Sequence, residues 1–295
     1  VRRGNGAAAP RLLGWGGKTT TASAIARWTC GASFAALALA GAPQNGWSQG
    51  APAPPENGAD AKAPAVEAPS LTGRWAQLQV VTSLEDIPVL GEVTTTMAVT
   101  MLLDIQQEGS ALQVREQMCH IAFRSSSDLV EIEVPAAFAR SLSGNLRTGR
   151  VREAAGKRQV TLDRLLMVGG MELANPESDS LPNKTSDPRV RDSDGDGFPG
   201  LTLQSRGTIE GAIRIVQRSW NVLRGVVTDP DTVSGKLQWA SERRVIDADS
   251  VLLEVEPESR PHPDPGRNIF RWVRVSNTTD CTDVAKNSRK LFGNK

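Results

Sequence analysis

Segments rich in β-branched residues recur along this chain at short intervals, and nothing between them reads as a run of crossover helices. AQLQVVTS (76–83), VTTTMAVTMLLDIQ (93–106), ALQVREQMCHIAF (111–123) and LVEIEV (129–134) form a first group. LTLQSRG (201–207), GAIRIVQRSWNVLRGVV (211–227), VSGKLQWASERRVID (233–247), SVLLEVEP (250–257) and NIFRWVRVS (268–276) form a second. Turn material such as EGS (108–110) and SSSD (125–128) separates them, and partial alternation of apolar and polar residues marks them as strands. Parallel α/β architecture needs a helix between successive strands, so the expectation is all-β and antiparallel. Either a lipocalin-like barrel or a two-sheet sandwich is predicted, and closure has the merit of removing exposed edges. The alternation is imperfect in 111–123, where Leu112, Val114 and Met118 share a parity with Glu116 and His120. PAAFARSL (135–142) reads as a short helix or 3₁₀ turn, whereas 152–173 resists assignment. The order of elements in 88–121 resembles that in 207–246, which fits a duplication and also fits two unrelated hairpins.

Lys plus Arg (34) and Asp plus Glu (33) nearly cancel, and the basic residues are scattered, so no stripe for nucleic acid is expected. Val1 stands where Met is usual, as a GTG start codon in a bacterial gene would give. Arg2, Arg3, Arg11, Lys18 and Arg27 precede an apolar run, WTCGASFAALALAGA (28–42), too short to span a bilayer comfortably. Ala38 and Ala40 occupy positions that a signal peptidase inspects, which predicts a cleaved signal over 1–40, export, and no membrane span afterwards. An Ala-rich tail without that role is the alternative. Residues 41–70, dominated by Ala, Pro, Gly and Glu, read as a flexible linker. The folded part is expected over 71–295, as strand groups 71–174 and 201–276 joined by a loop, 175–200.

Of three cysteines, Cys30 lies in the leader, leaving Cys119 and Cys281. An even count in an oxidising compartment predicts one disulfide between them, against two separately buried thiols. Enzymatic signals are thin. His120 and His262 are the only histidines, no HExxH, GxSxG, phosphate-loop or CxxC pattern occurs, and Glu131, Glu133, Glu254 and Glu256 are glycosidase candidates only as strand acids. Trp75, Trp220, Trp239 and Trp272 fall in or beside expected strands. Trp220, Trp239 and Trp272 are candidates to line a cavity for a small apolar ligand, with plain core packing as the alternative.

DSDGDG (192–197) places carboxylates at every second position, with small residues between them that let the backbone curl. Calcium is the expected cofactor, through Asp192, Asp194, Asp196 and the Phe198 carbonyl, with Asp187, Asp179 or another carbonyl as a further ligand; a solvated linker is the alternative. The loop resembles the first half of EF-hand, dockerin and thrombospondin type 3 calcium loops, but Leu203 stands where a bidentate Glu is expected, so an EF-hand is excluded. DPRVRDSDGDGFPG (187–200), GTIEG (207–211) and VQRSW (216–220) are similar to phrases in uncharacterised exported β-rich proteins of myxobacteria and related bacteria. That resemblance implies export and calcium but no reaction. The functional expectation is an exported, calcium-stabilised, non-enzymatic protein binding a ligand, surface or envelope partner. Its alternatives are a structural part of a cell-surface assembly and a hydrolase acting on envelope polymer or glycan.

Overall fold

In the computed structural model, residues 69–87, 91–127, 131–256 and 258–293 are described. The expected signal and nearly all of the linker lie outside them. The first three expected strands become β1 (Gly73–Ile87), β2 (Gly91–Glu108) and β3 (Ala111–Ser125), an antiparallel meander. In β3 the residues Leu112, Val114, Glu116 and Met118 are all buried, and beyond them Ile121 is buried instead. A register shift of the β2–β3 ladder at Thr100/Met101 pairs Met101 with Met118 and Thr100 with His120, leaving Cys119 as an extra residue. This bulge changes which parity faces inward and accounts for the imperfect alternation.

After β4 (Ile132–Glu133) and the short helix α1 (Ala136–Ser141), the unassigned stretch forms a hairpin of β5 (Asn145–Ala154) and β6 (Lys157–Gly169). Its two loop residues, Ala155 (φ 51°) and Gly156 (φ 68°), are both left-handed, as the tightest hairpin turns require. The second group gives β7 (Leu201–Ser205), β8 (Gly211–Asp229), β9 (Thr232–Ala248), β10 (Glu258–Pro261) and β11 (Ile269–Arg274). The two segments with similar element order become the long hairpins β2–β3 and β8–β9.

All eleven strands among the described residues belong to one antiparallel sheet, which overturns the two-sheet sandwich. The lipocalin-like barrel is overturned as well. Pairings run β1–β2–β3–β5–β6–β8–β9–β11 and return to β1, but this ring is not a barrel, because it forks. β1 pairs with β11 over Trp75–Val80 and with β10 over Ser83–Asp86. β8 pairs with β7 over Gly211–Ile215 and with β6 over Gln217–Val226, and β3 changes from β5 to β4. β2 matches β1 along its whole length on one edge, while on the other edge β11 and β10 share it, since at about 3.3 Å per residue neither short strand spans so long a partner. Periodicity reports the faces of a strand, not how many partners share its edge.

The main core joins Trp75, Trp272 and Phe270 to Leu103, Leu112, Leu162 and Leu223, all nearly or fully buried. A smaller cluster of Met171, Leu181, Val190, Val216 and Ile246 anchors the 175–200 loop. A third lies under the helix α2 (Cys281–Phe292), whose Val284 and Phe292 pack with Ala76 and Leu102. That tail had no expected structure. Asp280 and Asp283 form a reciprocal capping box that starts the helix, a signal present in the sequence. Cys119 and Cys281 are joined in a disulfide that ties α2 to β3, as expected. The expected strand 250–257 is instead a 3₁₀ turn over Val251–Leu253, capped by the Ser250 side chain.

Candidate ligand cavity and aspartate loop

Alternation along the strands sends one face of each inward, and toward one end of the sheet these faces do not meet. They leave a cavity of about 390 Å³. From β1, Gln79, Val81 and Ser83 line it, opposite Val99, Met97 and Thr95 of β2. From β9 come Leu237, Trp239 and Ser241; Trp239 and Ser241 stand opposite Asn221 and Ser219 of β8. Met101, Met118, Ile121, Phe123, Met167 and α1's Phe138 complete the apolar wall. Four of the chain's five methionines lie here, flexible and polarisable side chains suited to a wall that must fit a variable shape. Charges gather at the mouth, where Glu256 pairs with Arg244 at 2.7 Å and Glu242 with Arg218.

Two of the three candidate tryptophans line this space. Trp239 donates its indole N–H to Asn268 Oδ1 at 2.9 Å, which fixes the ring in place. Trp220 also lines the cavity and carries the Arg164 guanidinium 5.1 Å from its ring centre. Trp272 does not. It is fully buried against Trp75 and Phe270 and donates to Gln77, closing the packed end of the sheet.

Next to the inner end of the cavity lies a buried polar network that sequence reading passed over. Arg147, on β5, meets Glu116 Oε1 at 3.2 Å, with both side chains at most 3% exposed. It also donates from Nε to the Asp163 carbonyl at 2.8 Å and from Nη2 to the Asn221 carbonyl and Oδ1, at 2.8 and 2.7 Å. Loss of solvent pushes the Glu116 carboxyl above its ordinary value, and Arg147 opposes that shift by charge and hydrogen bond. The signal was legible: Glu116 breaks an apolar run on the inward parity of β3, where an unpaired carboxylate would be very costly.

In the aspartate loop, Asp192, Asp194 and Asp196 each bring a carboxylate oxygen within 4.8 Å of the others. Gly195 and Gly197, both at positive φ, allow the curl, and their N–H groups donate to Asp192 Oδ1 and Oδ2 at 2.7 and 3.0 Å. The Thr202 N–H reaches Asp194 Oδ2 at 2.9 Å, so the loop is tied to the first residues of β7. Asp194 Oδ1 is buried with no hydrogen-bond partner among the described residues. Its carboxyl is pushed up first by loss of solvent and further by Asp196 and Asp192. Asp187 is committed elsewhere. Both of its oxygens accept from Arg189, which holds its carboxyl down at about 2. Asp179 likewise accepts from Asn175. Phe198 donates its N–H to Asp196, while its half-exposed ring lies 4.3 Å from the Arg214 guanidinium.

The candidate glycosidase acids stand in two places along the chain, Glu131 and Glu133 at β4 and Glu254 and Glu256 after the 3₁₀ turn Val251–Leu253. Glu133 pairs with Arg206, Glu256 with Arg244, and Glu131 and Glu254 are exposed. His120 is exposed, and His262 Nδ1 accepts from the Asp264 N–H at 3.0 Å. Among the described residues no helix is long and apolar enough to cross a membrane. No protein-family model matches the chain, and no curated protein is significantly similar to it.

Proposed function

We propose that this protein is a non-enzymatic binding protein that takes a small, mainly apolar molecule into the cavity bounded by Trp239, Met97, Met101 and Met118. The observation that carries this is the cavity itself, about 390 Å³ and walled by methionine, aromatic and branched side chains, within the range of pockets that enclose small ligands. An apolar guest would release the water that such a space admits. Two of the acids that line it, Glu242 and Glu256, are engaged by arginines and so serve a charged rim better than proton transfer.

The aspartate loop supplies a second part of the reading, one calcium ion held by Asp192, Asp194 and Asp196. Three carboxylates so close favour a hard divalent cation, and the orphaned Asp194 oxygen is an acceptor still without a partner. Calcium there would stiffen the crossing between the two strand groups. The basic and apolar leader supports export. Mass measurement of the cell-envelope product, beginning near Gly41, tests that part.

The cavity is tested with N-phenyl-1-naphthylamine, whose fluorescence rises in apolar surroundings, and with Val99→Phe, which fills the space. Saturable one-to-one binding that weakens at least about tenfold in the variant is expected. Absence of saturable binding, or binding indifferent to Val99→Phe in a folded variant, refutes the reading.

A further inference from the structure

Resting on the cavity reading above, we infer that the preferred ligand is an aliphatic molecule with an uncharged head that both donates and accepts a hydrogen bond, such as a primary alcohol. The head sits at the polar part of the cavity wall, which Gln79 and Asn221 supply. Both residues are more than nine-tenths buried and both line the space.

Their orientations follow from their neighbours. Arg147 can only donate, and its Nη2 meets Asn221 Oδ1 at 2.7 Å. The Asn221 amide is therefore fixed with its NH₂ group turned away from the arginine, and that group has no acceptor among the described residues. Gln79 Nε2 faces the Met101 sulfur at 3.6 Å, a weak acceptor, and Gln79 Oε1 has no donor among the described residues. One unmet donor and one unmet acceptor thus belong to the cavity wall, where unpaired polar groups are costly. A hydroxyl can meet either one, since it carries one donor and two lone pairs. Water can satisfy them in the empty cavity, so an alkane that displaces it leaves both unpaired.

An anionic head is disfavoured by the same network. Arg147 already gives four of its N–H groups to Asp163, Glu116 and Asn221, and its charge is matched by Glu116. Here a carboxylate would be desolvated beside the Arg147–Glu116 pair with no free cation at hand; Arg243, which lines the cavity without an ion pair among the described residues, stands four residues along β9 from the Trp239 that faces Asn221. The apolar wall of Met97, Phe123 and Met167 then accepts the chain on its way to the mouth.

The test displaces N-phenyl-1-naphthylamine from the full chain at pH 8 with decan-1-ol, 1-methoxydecane and decanoate. Decan-1-ol should bind at least about fivefold more tightly than the ether, which cannot donate, and more tightly still than decanoate. Gln79→Met, close in volume and unable to accept strongly, should bring alcohol and ether to within about twofold of each other while the probe still binds. Asn221 is left intact because it holds Arg147. Equal or tighter binding of decanoate, or an alcohol preference that survives Gln79→Met, overturns the inference and leaves the cavity reading standing. Failure of the probe to bind at all overturns both.

Discussion

Replacing Arg147 with methionine removes the only cation paired with Glu116 among the described residues and keeps most of the volume. Three acceptors lose their donor at once, the Asp163 and Asn221 carbonyls and Asn221 Oδ1. Breaking one side of a buried ion pair costs about 3–5 kcal/mol, because an uncompensated charge remains in a poor solvent for it. The cost should depend on pH in a defined direction. Burial already holds the Glu116 carboxyl above its ordinary value. A carboxyl raised in this way contributes stability that is full below its unfolded value and lost as pH rises through its folded value. Arg147 supplies the two opposing effects, so its loss raises the folded value further. Between the folded values of the parent and the variant, the parent is flat while the variant loses about 1.4 kcal/mol per pH unit. Urea denaturation at pH 7.5 and 5.5 should therefore show a large deficit at the higher pH and a smaller one at the lower. Glu116→Leu added to Arg147→Met should recover most of the deficit, since a packed apolar pair needs no compensation. A cost below about 1 kcal/mol at pH 7.5, or one equal at both pH values, would refute the reasoning.

Other consequences are open to direct measurement. The disulfide closes a separation of 162 residues, for which chain entropy gives about 5 kcal/mol; Cys119→Ser with Cys281→Ser should lower the denaturation midpoint by about 2–5 kcal/mol equivalent, and an unchanged midpoint would contradict this. Calorimetric titration of the chelated protein should show one calcium site of about micromolar to low-millimolar affinity, weakened by Asp194→Asn, with a higher melting temperature in calcium; no heat and no shift would remove the metal. At Gly149 an added Cβ would sit 2.5 Å from the Thr161 carbonyl oxygen and 2.6 Å from Leu162 Cδ2. Gly149→Ala should therefore cost about 1–3 kcal/mol in thermal unfolding, and a neutral result would mean that the β5–β6 ladder gives way easily.

The sequence by itself determined the strands whose alternation or β-branched content was strong, β1 to β3, β8, β9 and β11, because burial on one face writes a period of two directly into the residues. It pointed to the disulfide, since assigning Cys30 to an expected leader left two cysteines to pair, and it set the three aspartates at a spacing that converges once glycines allow the turn. The hairpin β5–β6 escaped because its turn uses Ala155 in a left-handed conformation that alanine rarely adopts. Helix α2 escaped because it is stabilised by a capping box and by Val284 and Phe292 meeting a distant sheet face, with little apolar content of its own. What only the tertiary structure decided is which edges pair and what the inward faces enclose. Strand partners are chosen by length and by contacts between residues far apart in the chain, so neither the union of all strands in one sheet, which excludes the sandwich, nor the forks at β1, β3 and β8, which exclude the barrel, left a local trace. The same holds for the cavity. Trp239 and Trp272 both lie on strands, yet one lines a space and the other is buried against Trp75 and Phe270, contacts that depend on residues far apart in the chain.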